Sequence, residues 1–170
     1  MTEASGTVEA LYDAHYPEVL AYCARRIGRN EAEDVANEVF TIAWRRRDEI
    51  QGATARPWLY GIARGVLANR WRSGRRHLRL VGRLSGLAPE ADESPEVVVV
   101  RRAQDQEVLD ALRTLRPSDQ EVLTLSAWEG LSATEIGIAL GVKAAAAEQR
   151  LHRAKRRLAE TLNQTQGAVR

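Results

Sequence analysis

One cysteine, one methionine and one phenylalanine among 170 residues set the first limits on this chain. Cys23 cannot close an internal disulfide and has no cysteine partner for a zinc cluster, so a buried structural thiol is its default role. His15, His77 and His152 stand far apart without ligand spacing, which leaves no metal site and no cofactor motif. No apolar run approaches the ~20 residues needed to cross a bilayer, and no secretory signal pattern opens the chain, so we expect a cytoplasmic protein with no membrane contact. β-Branched runs are missing except Val97–Val100, and that run leads into the helical spacing Ala103, Val108, Ala111, Leu112, Leu115; we read it as a helix start. No nucleophile, base and orienting group occur at recognisable spacing, and Cys23 has only His15 near it, on one apolar helix stripe, which argues against an enzyme.

What is present is charge in blocks. The formal net charge of +2 conceals −4 over residues 1–50, +8 over 51–83, −7 over 84–142 and +5 over 143–170. Two separate basic blocks predict two contacts with a polyanion, because each neutralised phosphate releases counterions and adds sequence-independent affinity. The acidic blocks point to a protein partner or to repulsion from DNA. Ser85 to Glu96 holds two prolines, a glycine and four acids with no base, the composition of an extended linker. The expected architecture is therefore all-α, with two small helical domains at 1–84 and 97–170 joined by an acidic linker at 85–96.

The C-terminal half carries the sharper signal. Ser118 and Glu121 have capping-box spacing ahead of Val122, Leu123, Leu125 and Trp128, and Gly130 ends that helix. Ser132 and Glu135 repeat the spacing ahead of Ile136, Ala139 and Leu140, and Gly141 ends the second helix. A longer helix follows, with Ala147, Leu151, Ala154, Leu158 and Leu162 as a buried stripe and Gln149, Arg150, Arg153, Arg156 and Arg157 on the other face. A slim N-terminal end, Ala144 to Ala147, with arginines behind it suits a helix that enters the major groove. The plainer alternative is a helical bundle with a solvated basic face.

In the N-terminal half a first helix spans about Thr7 to Gly28, interrupted near Pro17. A second starts at the capping pair Asn30 and Glu33 and runs to about Arg47, with Val35, Val39 and Ile42 inward and Asp34, Asn37, Glu38, Thr41 and Arg45 outward. Phe40 and Trp44, one turn apart, are either a core pair or part of a docking surface. A third helix begins around Pro57 and buries Leu59, Ile62, Ala63 and Val66. Around that stripe lie Trp58, Tyr60 and Trp71 with Arg56, Arg64, Arg70, Arg72, Arg75, Arg76 and Arg79, a mixture suited to stacking unpaired bases and following a backbone, or else to a core with a solvated face. One half suited to unpaired strands and one suited to duplex DNA describe a protein that opens a promoter or holds it open.

These residues carry a family resemblance. The stretch Ala32 to Phe40, the stretch Arg56-Pro57-Trp58-Leu59-Tyr60-Gly61-Ile62-Ala63-Arg64, and the stretch Glu129-Gly130-Leu131-Ser132 through Leu140-Gly141-Val142 to Arg150-Leu151-His152-Arg153-Ala154 resemble the sigma-70 family, and the length resembles its extracytoplasmic-function (ECF, group 4) members. The resemblance implies a non-catalytic initiation subunit of bacterial RNA polymerase without a cofactor, with sigma region 2 in the first half and region 4 in the second. It implies core-polymerase contacts from Asp34, Asn37, Glu38, Phe40, Thr41 and Trp44 to the clamp helices of the largest subunit, and a contact of region 4 with the flap of the second-largest. It implies minus-ten DNA contacts from Arg56, Trp58, Tyr60, Arg64, Gly65, Asn69, Arg70, Arg72, Arg75 and Arg76, on the single strand. It implies minus-thirty-five duplex contacts from Lys143, Ala146, Glu148, Gln149, Arg150, Arg153 and Arg157. An anti-sigma partner is implied as well, with no identity attached.

Two positions depart from the family pattern. Many relatives have asparagine where Gly65 stands, at a place associated with capturing a flipped base. A serine cap and a basic residue are common where this chain has Lys143 and Glu148, and Glu148 is expected to alter minus-thirty-five preference, since a carboxylate accepts from a cytosine amino group. A free-standing helix-turn-helix regulator would explain the second half alone, and a module that sequesters another regulator would need no DNA contact.

Overall fold

The computed structural model describes residues 2–50, 52–85 and 103–168, with side chains over 9–50, 53–73 and 106–164. The described residues form α1 (Thr2–Ile27), α2 (Arg29–Arg45), α3 (Ala55–Ser85), α4 (Ala103–Thr114), α5 (Pro117–Ala127), α6 (Ala133–Leu140) and α7 (Ala144–Ala168), with 3₁₀ turns at Arg47–Glu49 and Gly52–Thr54. The chain is all-α, as its periodicity implies, and divides into two compact units, Met1–Val97 and Val98–Arg170. Ser85 closes α3; the rest of the expected linker and the helix start at Val97–Val100 lie outside the described residues.

In the first unit α1, α2 and α3 pack on one another. Their shared core is Val19, Tyr22 and Cys23 from α1, Val35, Ala36, Val39 and Ala43 from α2, and Leu59, Ala63, Val66 and Leu67 from α3. Ala43 takes the inward place expected of Ile42, which is only half-buried. The expected interruption at Pro17 does not occur: α1 runs through it. Pro17 and Asp13 lie on the exposed face, where water can satisfy the Asp13 carbonyl that the missing N–H leaves.

The Asn30–Glu33 cap is also corrected. Gly28, at φ 80°, carries the chain from α1 to α2 with a one-residue break, so α2 starts at Arg29 with no side-chain cap and Asn30 already lies in its first turn. The third helix starts two residues ahead of Pro57, whose buried ring sits in the first turn, where no N–H is needed.

In the second unit α4, α5 and α6 each pack on α7, around Val122, Leu125, Leu131, Ile136, Ala139, Ala147 and Ala154. The Ser118–Glu121 box is not formed. Pro117 takes the first helical position with Arg116 extended before it (ψ 145°), so the helix begins ahead of Ser118 and has no side-chain cap. The Ser132–Glu135 box is formed: the Ser132 amide donates to Glu135 Oε2 at 2.8 Å and the Glu135 amide donates to Ser132 Oγ at 3.3 Å.

Candidate functional site

Three exposed surfaces collect the residues expected to function. On the first unit, α1 and α2 form an open groove of about 440 Å³ lined by Glu9, Tyr12, Asn37, Phe40, Thr41, Trp44 and Arg45. Its floor is aromatic: Tyr12 stacks on Tyr16 with ring centroids 4.5 Å apart and meets the edge of Phe40 at 4.9 Å. Burial, then the neighbouring Tyr12, pushes the Tyr16 hydroxyl above its ordinary range. The open choice for Phe40 and Trp44 resolves by splitting them, since Phe40 is buried and Trp44 is 42% exposed. Thr41 Oγ1 donates to the Asn37 carbonyl at 2.8 Å. Asp34 and Glu38 are exposed, but Glu38 is drawn toward α3, with its Oε2 3.5 Å from Arg70 Nη2. The groove residues Glu9 and Tyr12, and Tyr16 stacked behind Tyr12, were not among those expected; the only sequence signal was two tyrosines four apart on α1.

The second surface belongs to α3. Gly65, Asn69 and Arg72 are exposed and fall on one stripe at spacings of four and three, with Arg64 and exposed Trp71 on its flank. Arg72 donates from Nη2 to Asn69 Oδ1 at 2.7 Å and from Nε to the Ala68 carbonyl at 3.2 Å, which holds its guanidinium along the helix. A Cβ on Gly65 would meet nothing within 4 Å. Trp58 is half-buried, with the Arg46 guanidinium 5.7 Å from its ring centroid. Arg46 in turn is bonded to Glu49 at 2.9 and 2.5 Å, and that bond raises the pKa of Arg46 and lowers that of Glu49.

Three residues expected on this surface sit elsewhere. Tyr60 is buried, stacked on Tyr22 at 4.9 Å, because its position falls on the core side of α3. Arg56 lies 3.8 Å from Glu18 of α1, and Arg70 lies against Glu31 and Glu38 of α2. Nearby carboxylates thus face Arg56 and Arg70 within the mixture of aromatics and arginines read from the sequence. Arg75 and Arg76 are on α3, but their side chains lie outside the described residues.

The third surface is α7. Gln149, Arg153 and Arg156 follow one exposed stripe with Arg150 beside it, while Glu148 is exposed one residue's rotation to the other side. Exposed Lys143 precedes the helix and its carbonyl accepts from Ala146 and Ala147 at 2.9 and 3.0 Å; Ala146 is half-buried. Arg157 is withdrawn from this face. Its Nη1 donates to Asp119 Oδ2 of α5 at 2.6 Å, on a carboxylate that is 9% exposed.

The turn that aims α7 is set by main-chain atoms. Gly141 is left-handed at φ 66°, and the Val142 amide donates to the Gly137 carbonyl at 2.8 Å while the Gly141 amide donates to Ile138 at 3.2 Å. A Cβ on Gly137 would come within 2.8 Å of the Val142 carbonyl oxygen and 3.3 Å of the Ala144 amide. Asp119 and Gly137 were both overlooked in sequence, Asp119 because its partner is 38 residues away. Among the described residues no group of His, Cys, Asp and Glu could hold a metal, and no helix is long and apolar enough to cross a membrane.

Comparisons with known proteins fall on the same two units. Residues 11–77 match the family model for Sigma-70 region 2, and residues 105–158 match that for Sigma-70 region 4. The chain is 33% identical over 162 residues to the ECF RNA polymerase sigma factor SigL of Mycobacterium tuberculosis, covering 92% of this chain and 89% of SigL. It is 35% identical over 155 residues to the ECF RNA polymerase sigma factor BldN of Streptomyces coelicolor, covering 89% of this chain but 59% of BldN. Among solved structures it is similar to CnrH in complex with the cytosolic domain of CnrY, at TM-score 0.59 and 26% identity, covering 94% of this chain and 92% of CnrH.

Proposed function

Because this chain belongs to the ECF RNA polymerase sigma factors, and is thus a non-catalytic polymerase subunit, we propose that its three surfaces divide the work of promoter-specific initiation. The α1–α2 groove docks a helical element of core polymerase, the clamp helices of the largest subunit, with Trp44 as its aromatic anchor. The α3 stripe of Gly65, Asn69 and Arg72, with Arg64, Trp58 and Trp71 beside it, takes the unpaired non-template strand of the minus-ten element and assists melting. The α7 stripe reads the minus-thirty-five duplex through Gln149, Arg150 and Arg153, with Lys143 and Arg156 at phosphates. The second unit also meets the flap of the second-largest subunit. The working place is the cytoplasm, where polymerase is.

The observation that carries this is the basic stripe of α7 standing on a helix-turn-helix whose angle is fixed by the Gly137–Val142 contact. An inhibitory protein partner, an anti-sigma factor, would cover the groove; the solution of CnrH with the cytosolic domain of CnrY supports a protein partner for this fold. Run-off transcription on fragmented genomic DNA with core polymerase tests the whole. Discrete transcripts that need the protein are expected. No transcripts, and no comigration with core, would favour a free-standing regulator.

The divided roles are separable. Arg150→Ala with Arg153→Ala weakens promoter binding and leaves polymerase binding intact, while Trp44→Ala does the reverse. The open space at Gly65 accepts Asn, and Gly65→Asn changes preference among minus-ten variants in a competition assay. Glu148→Arg changes preference among minus-thirty-five variants.

A further inference from the structure

Arg70 stands apart from the other arginines of α3. Helical rotation places it about 140° round from Gly65, toward α2 rather than on the stripe proposed for the strand. Its Nη2 lies 3.5 Å from Glu38 Oε2 and its Nη1 3.8 Å from Glu31 Oε2. Glu31 and Glu38 are two turns apart on one side of α2, so a single guanidinium spans both. The same α2 carries the groove, whose lining includes Asn37, the residue next to Glu38 in the chain. One arginine on the DNA-binding helix is therefore held by acids on the polymerase-docking helix.

We propose that the Arg70–Glu31–Glu38 cluster is a latch that couples polymerase docking to capture of the unpaired strand. This rests on α2 docking polymerase and α3 taking the strand, as proposed above. In the free protein the two carboxylates hold Arg70 and repel the DNA backbone beside it. When α2 docks, a basic group of the polymerase takes Glu38, and Arg70 turns to a strand phosphate. The exchange replaces two guanidinium–carboxylate contacts by a cation–carboxylate contact at Glu38 and a guanidinium–phosphate contact, and returns the exposed Glu31 carboxylate to water.

Exposure suits a switch rather than a strut. The side chains of Arg70, Glu38 and Glu31 are 36%, 48% and 65% exposed, so each pair is weak, screened and able to break without disturbing the core. Arg72, in contrast, is held by Asn69 of its own helix, a contact in which α2 has no part.

The test is a double-mutant cycle on the full chain, using a fluorescein-labelled single-stranded oligodeoxythymidylate and fluorescence anisotropy. Glu31→Gln with Glu38→Gln is expected to tighten binding about fivefold more in the natural background than in an Arg70→Gln background. An equal gain in both backgrounds reflects general charge alone and overturns the latch. Linkage is reciprocal, so without DNA, Arg70→Gln is expected to tighten binding to core polymerase about threefold by freeing Glu38. Unchanged or weaker polymerase binding overturns it too. Arg72→Ala separates the two ideas: if it leaves oligonucleotide binding unchanged, the strand-binding role of α3 fails, whereas if it weakens binding while the cycle shows no coupling, only the latch fails.

Discussion

Arg157 carries a prediction that sets two physical roles against each other. By sequence it belongs with the DNA-contacting arginines, yet its guanidinium donates to Asp119 at 2.6 Å across α5 and α7. A hydrogen bond to a charged group contributes about 1.5–3 kcal/mol, and the 39% exposure of Arg157 moves the expectation for Asp119→Ala to about 1–2 kcal/mol, because the freed guanidinium can turn to water. Arg157→Ala should be the more damaging change, about 2–3 kcal/mol, because it leaves a nearly buried carboxylate without its cation. The favourable position of Asp119 in the first turn of α5 keeps that loss from growing further. The pair of substitutions together should cost about 1–2 kcal/mol less than their sum.

Hydrogen exchange in α5 and α7, read by mass spectrometry, measures the stability term. The functional term is the salt dependence of binding to a minus-thirty-five duplex. Each phosphate contact adds about 0.9 to the slope of log K against log salt, so Arg153→Ala should lower the slope by about that amount and Arg157→Ala should leave it unchanged. If Arg157→Ala leaves protection in α5 and α7 intact and lowers the slope as Arg153→Ala does, Arg157 is a DNA contact and the anchoring role is wrong.

Two glycines on exposed and packed helices should respond in opposite directions to alanine. Gly65→Ala, in open space inside α3, is expected to raise thermal stability by about 0.5–1 kcal/mol, whereas Gly137→Ala forces a Cβ to within 2.8 Å of the Val142 carbonyl and should lower duplex binding and the melting temperature together. Ser132→Ala removes a formed capping box and is expected to destabilise the second unit by about 1 kcal/mol in thermal melts, while Ser118→Ala, at a position that caps nothing, should shift them by less than about 0.5 kcal/mol. The Glu49 carboxyl, lowered by its bond to Arg46, keeps that bond at neutral pH and down through the ordinary carboxylate range, losing it only as pH falls through the depressed value. An NMR titration in which Glu49 protonates at or above an ordinary glutamate would refute this.

Local rules were legible where the chain obeys one signal at a time. The Ser132 box, the left-handed Gly141 and the all-helical class follow from spacing alone, and of the expected α7 stripe Ala147 and Ala154 are buried while Leu151, Leu158 and Leu162 are half-buried. Where two signals competed, spacing chose the wrong one: Pro117 preset the start of α5 and put Ser118 inside its first turn, and Gly28 did the same to Asn30. Site residues were less legible than the fold, since a charge count cannot show what faces a charge. Arg56, Arg70 and Arg157 read as nucleic-acid ligands by composition, which does not show the carboxylates that α1, α2 and α5 place beside them. Tyr60 was misplaced because an aromatic among arginines looks alike whether its position falls inward or outward.

The close approach of Gly137 to Val142 and Ala144 has an evolutionary consequence. On the proposed reading of α7, its outward side chains can change freely, since the helix is seated by main-chain contacts at Gly137, by buried Ala147 and Ala154 and by Arg157 on Asp119, and not by the exposed residues that face the duplex. If positions 148, 149, 150 and 153 read promoter DNA as proposed, they can then drift toward new promoters one at a time while the geometry of insertion is inherited unaltered. A lineage that duplicates such a protein obtains a second address reader in a few substitutions, provided position 137 stays glycine.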